Sequence, residues 1–192
     1  MRVITLPEPA FREACHLLAD RINAAGKDYA LAVGIITGGA RVADHLLPWL
    51  APVEREDILL QRPGTARKDA NPLIFRILRK LPRFVSNWLR MAESEYLSRT
   101  SRRVVSRHPE ISSGMEQKIK NISPGGSVLV IDDSVDTGAT VASVLDALRK
   151  INPEINFEVA AITVTMYNPM VTPDFTLYPA RTLIRFPWSK DF

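Results

Sequence analysis

A short apolar run followed by acidic and hydroxyl side chains lies at residues 128–140, and this combination can hold a phosphorylated sugar. The run from Val128 to Ile131 is mostly β-branched, which is typical of a buried strand. Asp132 and Asp133 follow at the predicted end of that strand. A turn with two threonines and a glycine comes next, and apolar residues at helical spacing begin directly after it. Backbone amides and the dipole of such a helix N-terminus favour an anion, so the stretch predicts a phosphate site beside two carboxylates.

These thirteen contiguous residues closely resemble the phosphoribosyl-diphosphate (PRPP) signature of the type I phosphoribosyltransferases. The resemblance implies that the turn binds the ribose 5-phosphate. It also implies that Asp132 and Asp133 contact the ribose hydroxyls and bind Mg²⁺, directly or indirectly. Asp136, the third implied catalytic carboxylate, occupies the position that exchanges a proton with the acceptor in purine-using members. The implied 5-phosphate ligands are Ser134, Val135, Asp136, Thr137, Gly138, Ala139 and Thr140. On its pattern alone, the stretch also fits an ordinary strand–turn–helix with solvated acids.

A second anion loop, Thr37-Gly38-Gly39, follows the predicted buried strand at 30–36 and precedes a predicted helix. Successive backbone amides in such a loop can bind an anion, and the resemblance implies that this anion is the diphosphate. Many family members carry Lys or Arg at the position of Thr37, so another cation has to compensate the charge. The candidates are Arg62, Arg67 and Lys68, whose alternative interpretation is that they are solvated loop charges.

The chemistry follows from the implied donor. Breaking the bond between ribose C1 and diphosphate develops positive charge on the sugar and negative charge on the leaving group. Mg²⁺ and backbone amides would stabilise the leaving group, while nearby carboxylates would tolerate the positive ring. The acceptor enters from the opposite face, which predicts inversion from α to β. A hydroxyl acceptor needs a base, and Asp136 is the candidate.

Alternating strands and helices predict an α/β protein with the type I phosphoribosyltransferase fold, in which a mainly parallel sheet is flanked by helices. The 192 residues, of which 46% are hydrophobic and 24% charged, suit a single domain over residues 1–192. Ligands gather at the carboxyl ends of strands in such sheets, so the two loops could share one crevice. Predicted helices cover 9–25, 72–98 and 113–121, and predicted late strands cover 157–165 and 182–186. One cysteine and an N-terminus unlike a signal peptide predict a cytoplasmic protein.

A helical basic insertion is predicted at residues 71–107, where nine Lys or Arg face only two acids, for a net charge of +7. Apolar residues at helical spacing form one face and arginines the other, which suits an anionic membrane surface. The alternative is packing on the domain or on a second subunit of a homo-oligomer, and nucleic-acid binding is the least favoured interpretation. The expected membrane contacts are Phe75, Arg76, Arg79, Lys80, Arg83, Phe84 and Trp88.

The acceptor region, residues 166–192, resembles the hood of hypoxanthine- and xanthine-type enzymes, with Tyr167, Asn168 and Trp188 as expected contacts. Those enzymes typically carry a Lys-Pro whose Lys contacts the purine carbonyl, whereas Asn168 precedes the proline here. An aromatic side chain in this region could still stack on a ring.

The missing Lys and the basic insertion together favour the PRPP-dependent ribofuranosyltransferase-like branch of bacterial surface glycan assembly. We therefore expect transfer of 5-phosphoribose to a hydroxyl of a membrane lipid-linked glycan, by an enzyme peripheral to the inner face of the membrane. The product would keep its 5-phosphate, which implies a separate phosphatase. One alternative is a phosphoribosyltransferase that salvages purine bases. Another, from a different class, is a PRPP-sensing regulator that binds nucleic acid without turnover.

Overall fold

The computed structural model describes residues 2–61 and 108–189. Several predictions lie outside the described residues and stay predictions: the helical basic insertion at 71–107, the loop cations and the membrane contacts. Their members are Arg62, Arg67, Lys68, Phe75, Arg76, Arg79, Lys80, Arg83, Phe84 and Trp88.

Strands and helices alternate along the described chain, as the apolar pattern predicts. The strands are β1 (Arg2–Thr5), β2 (Leu31–Ile35), β3 (Glu54–Gln61), β4 (His108–Glu110), β5 (Ser127–Val135), β6 (Asn156–Val164), β7 (Phe175–Tyr178) and β8 (Thr182–Arg185). The helices are α1 (Glu8–Ala24), α2 (Gly38–Leu46), α3 (Ser113–Lys120) and α4 (Ala139–Ile151). Within the described ranges, every helix falls short of the length and apolar character needed to cross a bilayer.

In the part of the chain described, a six-stranded sheet in the order β4-β3-β2-β5-β6-β7 forms the centre of the molecule. Every neighbouring pair is parallel except β3 and β4, which are antiparallel. β1 and β8 pair in parallel and form a small second sheet. The prediction of a mainly parallel sheet flanked by helices is confirmed.

The side chains of β5 alternate between two buried clusters, one on each face of the sheet. Leu129 and Ile131 pack with residues of α1 and α2, whereas Val128 and Val130 pack with residues of α3 and α4. Burying one such side chain stabilises the fold by about 1.5–3 kcal/mol relative to leaving it exposed. Because β5 buries apolar side chains on both faces of the sheet, it is fixed at the centre of the sheet. This packing fixes the position of Asp132 and Asp133, which follow Ile131.

Arg55 of β3 connects that strand to the first turns of α2. Its guanidinium donates to the carbonyl oxygen of Ala40 over 2.9 Å and to Asp44 over 2.5 Å. It also donates to both carboxylate oxygens of Asp57, each over 2.9 Å. The start of α2 is therefore held against the sheet, which matters because this helix begins at the glycine loop.

The observed elements differ from the sequence prediction in the ends of β5 and α2 and in two short strands. β5 continues to Val135 instead of ending near Ile131, because its pairing with β6 extends to Val135 and Val164. Asp132 and Asp133 therefore lie within the strand and not beyond it. The spacing of Val42, Leu46, Leu47 and Leu50 predicts a helix that reaches Leu50. Instead α2 ends at Leu46 and is followed by a single 3₁₀ turn containing Pro48, whose ring removes a backbone donor. β1 and β7 were not predicted, since each has only four residues.

Candidate active site

The loop Thr37-Gly38-Gly39 lies directly against the acidic pair of β5. A Cβ atom on Gly38 would lie 2.2 Å from the carboxyl carbon of Asp133, and one on Gly39 would lie 2.2 Å from the carbonyl oxygen of Ile131. Real Cβ atoms do not approach so closely, so only glycine permits this contact. The glycine loop and the acidic pair therefore meet at one edge of the sheet, where β2 and β5 run in parallel.

The two carboxylates of the acidic pair lie beside each other, with Asp132 buried and Asp133 half-buried. Asp132 is 7% exposed, and its Oδ1 accepts the amide of Asp133 over 2.9 Å. The Oδ1 of Asp133 accepts the amide of Ser134 over 2.8 Å. Burial and the neighbouring negative charge of Asp133 raise the pKa of Asp132 well above its ordinary value, and burial also raises the pKa of Asp133.

This pair suits a cation. Two buried carboxylates repel each other, and a positive charge between them would relieve both the repulsion and the loss of water. Carboxylate oxygens are also the ligands that Mg²⁺ prefers in proteins. The donor set and the raised pKa values therefore fit the predicted ion.

Two helices begin beside the acidic pair without a side-chain cap from their N-cap residues. They are α2, which follows Thr37, and α4, which follows Gly138. The contrast is α3, whose Ser112 accepts the amide of Met115 over 3.1 Å. The first turns of α2 and α4 also lack acidic residues. At α4 the hydroxyl of Thr137 accepts the amide of Ala139 over 3.3 Å. The dipoles of the two helices favour anions on either side of the carboxylates.

The turn after β5 is packed against the segment that follows β6. The amide of Met170 donates to the carbonyl oxygen of Thr137 over 2.8 Å. Gly138 has a φ of +77°, and a Cβ atom there would lie 2.7 Å from the amide nitrogen of Val171. This glycine is therefore required both by the left-handed backbone and by the close approach. The predicted phosphate turn and the predicted acceptor region are in contact.

The side chain of Asp136 accepts a hydrogen bond from the hydroxyl of Thr165, directly after β6. The amide of Thr165 in turn donates to the carbonyl oxygen of Val135 over 3.0 Å. Asp136 is thus oriented toward the start of the acceptor region. Sequence analysis did not single out Thr165, and the signal it offered was a hydroxyl side chain at the end of a predicted strand.

The three predicted acceptor residues have different surroundings. Tyr167 is 70% exposed, and Asn168 beside it is also exposed. Trp188 instead stacks on Phe186 with ring centroids 4.9 Å apart. It also packs perpendicular to the Phe11 ring, with centroids 5.0 Å apart. The Tyr167 ring is therefore exposed, with the guanidinium of Arg181 over it, whereas the Trp188 ring packs with its neighbours.

Comparison with protein families gives a match to the phosphoribosyl transferase domain over residues 6–175. A hypoxanthine/guanine phosphoribosyltransferase of Methanothermus fervidus is 41% identical over 44 residues. That alignment spans 23% of this chain and 23% of the length of the relative.

Solved structures also resemble the chain over most of its length. A purine phosphoribosyltransferase from Pyrococcus horikoshii has a TM-score of 0.60 and 16% identity, covering 99% of this chain and 96% of that one. A Neisseria gonorrhoeae protein with bound ppGpp has a TM-score of 0.59 and 16% identity, covering 97% and 89%. A xanthine-guanine-hypoxanthine phosphoribosyltransferase from Helicobacter pylori has a TM-score of 0.55 and 16% identity, covering 99% and 93%. At these identities the likeness supports the fold.

Replacing Gly39 tests whether the loop must touch the acidic pair. We expect Gly39→Ala to cost about 1–3 kcal/mol in the free energy of unfolding, because the new methyl group would overlap backbone atoms of β5. Gly114→Ala is the matched control, since a Cβ atom at Gly114 meets nothing closer than 3.9 Å. Gly114 lies in α3, so this control should gain up to about 1 kcal/mol. Equal urea midpoints for the two variants would contradict the close contact.

The buried acids predict how stability depends on pH. The folded-state pKa of Asp132 lies above its unfolded value, so the ligand-free protein loses stability as the pH rises from about 4 through the folded pKa. Asp132→Asn removes that loss and should become increasingly more stable than the wild type toward pH 8. Asp146→Asn, at an exposed position of α4, is the control and should show no such trend. Urea titrations at several pH values measure the difference, and a constant offset would refute the prediction.

Proposed function

We propose, on the premise that this chain belongs to the phosphoribosyl transferase domain family, that it transfers 5-phosphoribose from PRPP to a purine base and releases diphosphate. The single observation that carries the proposal is the contact between the glycine loop and the acidic pair. It supports one crevice with an anion site on each side of two carboxylates, as Gly38 lies against Asp133. PRPP has this arrangement of groups, since its ribose separates a phosphate from a diphosphate.

Each part of the donor has a proposed set of contacts. Amides of residues 37–39 and the first turn of α2 would bind the diphosphate, and residues 134–140 would bind the 5-phosphate. Asp132 and Asp133 would accept hydrogen bonds from the ribose hydroxyls. The same two carboxylates would hold Mg²⁺, which when bound neutralises part of the charge on the diphosphate.

The transfer is proposed as a single displacement at ribose C1. The bond from C1 to the diphosphate oxygen breaks, and the diphosphate leaves with the electron pair. A ring nitrogen of the base forms the new bond to C1 from the opposite face, which inverts the configuration. The proton lost from that nitrogen passes to the Asp136 carboxylate, which the hydroxyl of Thr165 orients.

A purine acceptor is favoured over the lipid-linked glycan expected from the sequence. Relatives from Methanothermus, Pyrococcus and Helicobacter are named as phosphoribosyltransferases of purines, and none of these three is named for glycan transfer. The Neisseria protein carries bound ppGpp, a guanine nucleotide with two diphosphate groups, which agrees with a purine-and-phosphate site on this fold. The glycan hypothesis, with its membrane surface and phosphatase partner, depended on residues 71–107 and on Asn168. It therefore becomes the second candidate.

An acceptor screen tests the proposal. Diphosphate release from PRPP and Mg²⁺ should occur with hypoxanthine, guanine or xanthine, and should not occur with a membrane lipid extract. Asp136→Asn should lower kcat by about 100-fold or more with little change in the KM for PRPP, because it removes the proton acceptor. Asp146→Asn, an exposed aspartate of the adjoining helix, is the matched control and should retain activity. Release with the lipid extract alone, or with no acceptor offered, would overturn the purine proposal.

A further inference from the structure

We propose that Tyr167 and Arg181 form the acceptor-recognition pair, and that Arg181 selects bases carrying a ring carbonyl oxygen. The inference rests on the proposed function and deepens it by naming a specificity residue. The observation behind it is a cation–π pair at the carboxyl end of β6, with the guanidinium carbon of Arg181 lying 5.3 Å from the centroid of the Tyr167 ring.

Arg181 is connected to the proposed catalytic carboxylate through two hydrogen bonds. Its amide donates to the carbonyl oxygen of Thr165 over 3.1 Å, and the hydroxyl of Thr165 donates to Asp136. The next residue, Thr182, accepts a hydrogen bond from the buried hydroxyl of Thr163 over 2.8 Å. The backbone at 181–182 is therefore anchored on the end of β6, although β8 belongs to the other sheet.

The backbone of Arg181 has an unusual conformation for its residue type. Its φ is +66°, a left-handed value that is strained for a residue other than glycine. Among the described residues other than glycine, it is the one with positive φ. Glycine would make the same turn at lower backbone strain, so the strained backbone motivates a functional role for the Arg181 side chain. That side chain is exposed and lies over Tyr167.

The pair offers a guanidinium whose position is held by an aromatic ring. The cation–π contact with Tyr167 orients the guanidinium, which provides N–H donors in one plane. Asn168 next to the tyrosine carries no charge, so Arg181 supplies the positive charge on this side. A carbonyl oxygen accepts a hydrogen bond from a guanidinium, whereas an exocyclic amino group would place its own N–H donors against those of the guanidinium. The acceptor class that fits is an oxopurine, in preference to an aminopurine.

The test compares steady-state constants for hypoxanthine, adenine and PRPP in the full-length protein. Arg181→Met keeps a side chain at the same backbone angle but removes the guanidinium. The Arg181→Met variant should raise the KM for hypoxanthine by about 10- to 100-fold and reduce the preference for hypoxanthine over adenine. Its KM for PRPP should stay within about twofold of the wild-type value. Arg181→Gly, which suits the left-handed backbone, should give the same loss with undiminished thermal stability.

Arg149→Met is the matched control, because Arg149 also lies over an aromatic ring, 6.0 Å from the centroid of Phe157, at the opposite edge of the sheet. It should leave the hypoxanthine constants unchanged. If the wild type uses purines but both Arg181 variants keep its KM for hypoxanthine, the recognition pair is overturned and the proposed function stands. If the wild type releases no diphosphate with any purine, both fail.

Discussion

The contact between the glycine loop and the end of β5 is the constraint on which the site depends. Gly39 lies so close to the Ile131 carbonyl that a single methyl group would overlap it. This approach places the start of α2 beside Asp132 and Asp133, and β5 itself carries the chain onward to the turn before α4. Two helix N-termini, the buried Asp132 and the half-buried Asp133 therefore lie close together. Binding a sugar with phosphate groups at both ends is the use we propose for them.

The site contains adjacent carboxylates, of which Asp132 is buried, and helix N-termini without a cap from the N-cap side chain, which a protein selected only for stability would avoid. Burial raises the pKa of both acids, and the negative charge of Asp133 raises the pKa of Asp132 further. Neither α2 nor α4 is capped by the side chain of its N-cap residue. By contrast α3, away from the site, has its serine cap. In the proposed function, bound phosphates interact with these two N-termini, and Mg²⁺ reduces the repulsion between the carboxylates. Part of the stability of the fold would then be recovered only when ligand is bound.

The sequence predicted the features that depend on local pattern, namely the parallel sheet, the strand-loop-helix units at 30–39 and 128–140, and the family. It placed the end of β5 too early, because the last residues of that strand are fixed by pairing with β6. It did not indicate that Trp188, whose role in acceptor binding stays a prediction, packs with Phe11, a residue far away in the sequence. Arg181 carries no local signal. Its position follows from contacts with Thr165 and Tyr167 that only the folded chain brings together.

The most direct measurement of the central claim is calorimetric titration of the protein, in the presence of Mg²⁺, with PRPP, ribose 5-phosphate and diphosphate. A single crevice with an anion site at each end predicts that PRPP binds about 100-fold or more tightly than either fragment, because the second contact forms within the same complex. Each fragment should also displace PRPP. If PRPP binds no more tightly than diphosphate, or if ribose 5-phosphate fails to displace it, the two loops do not form one site.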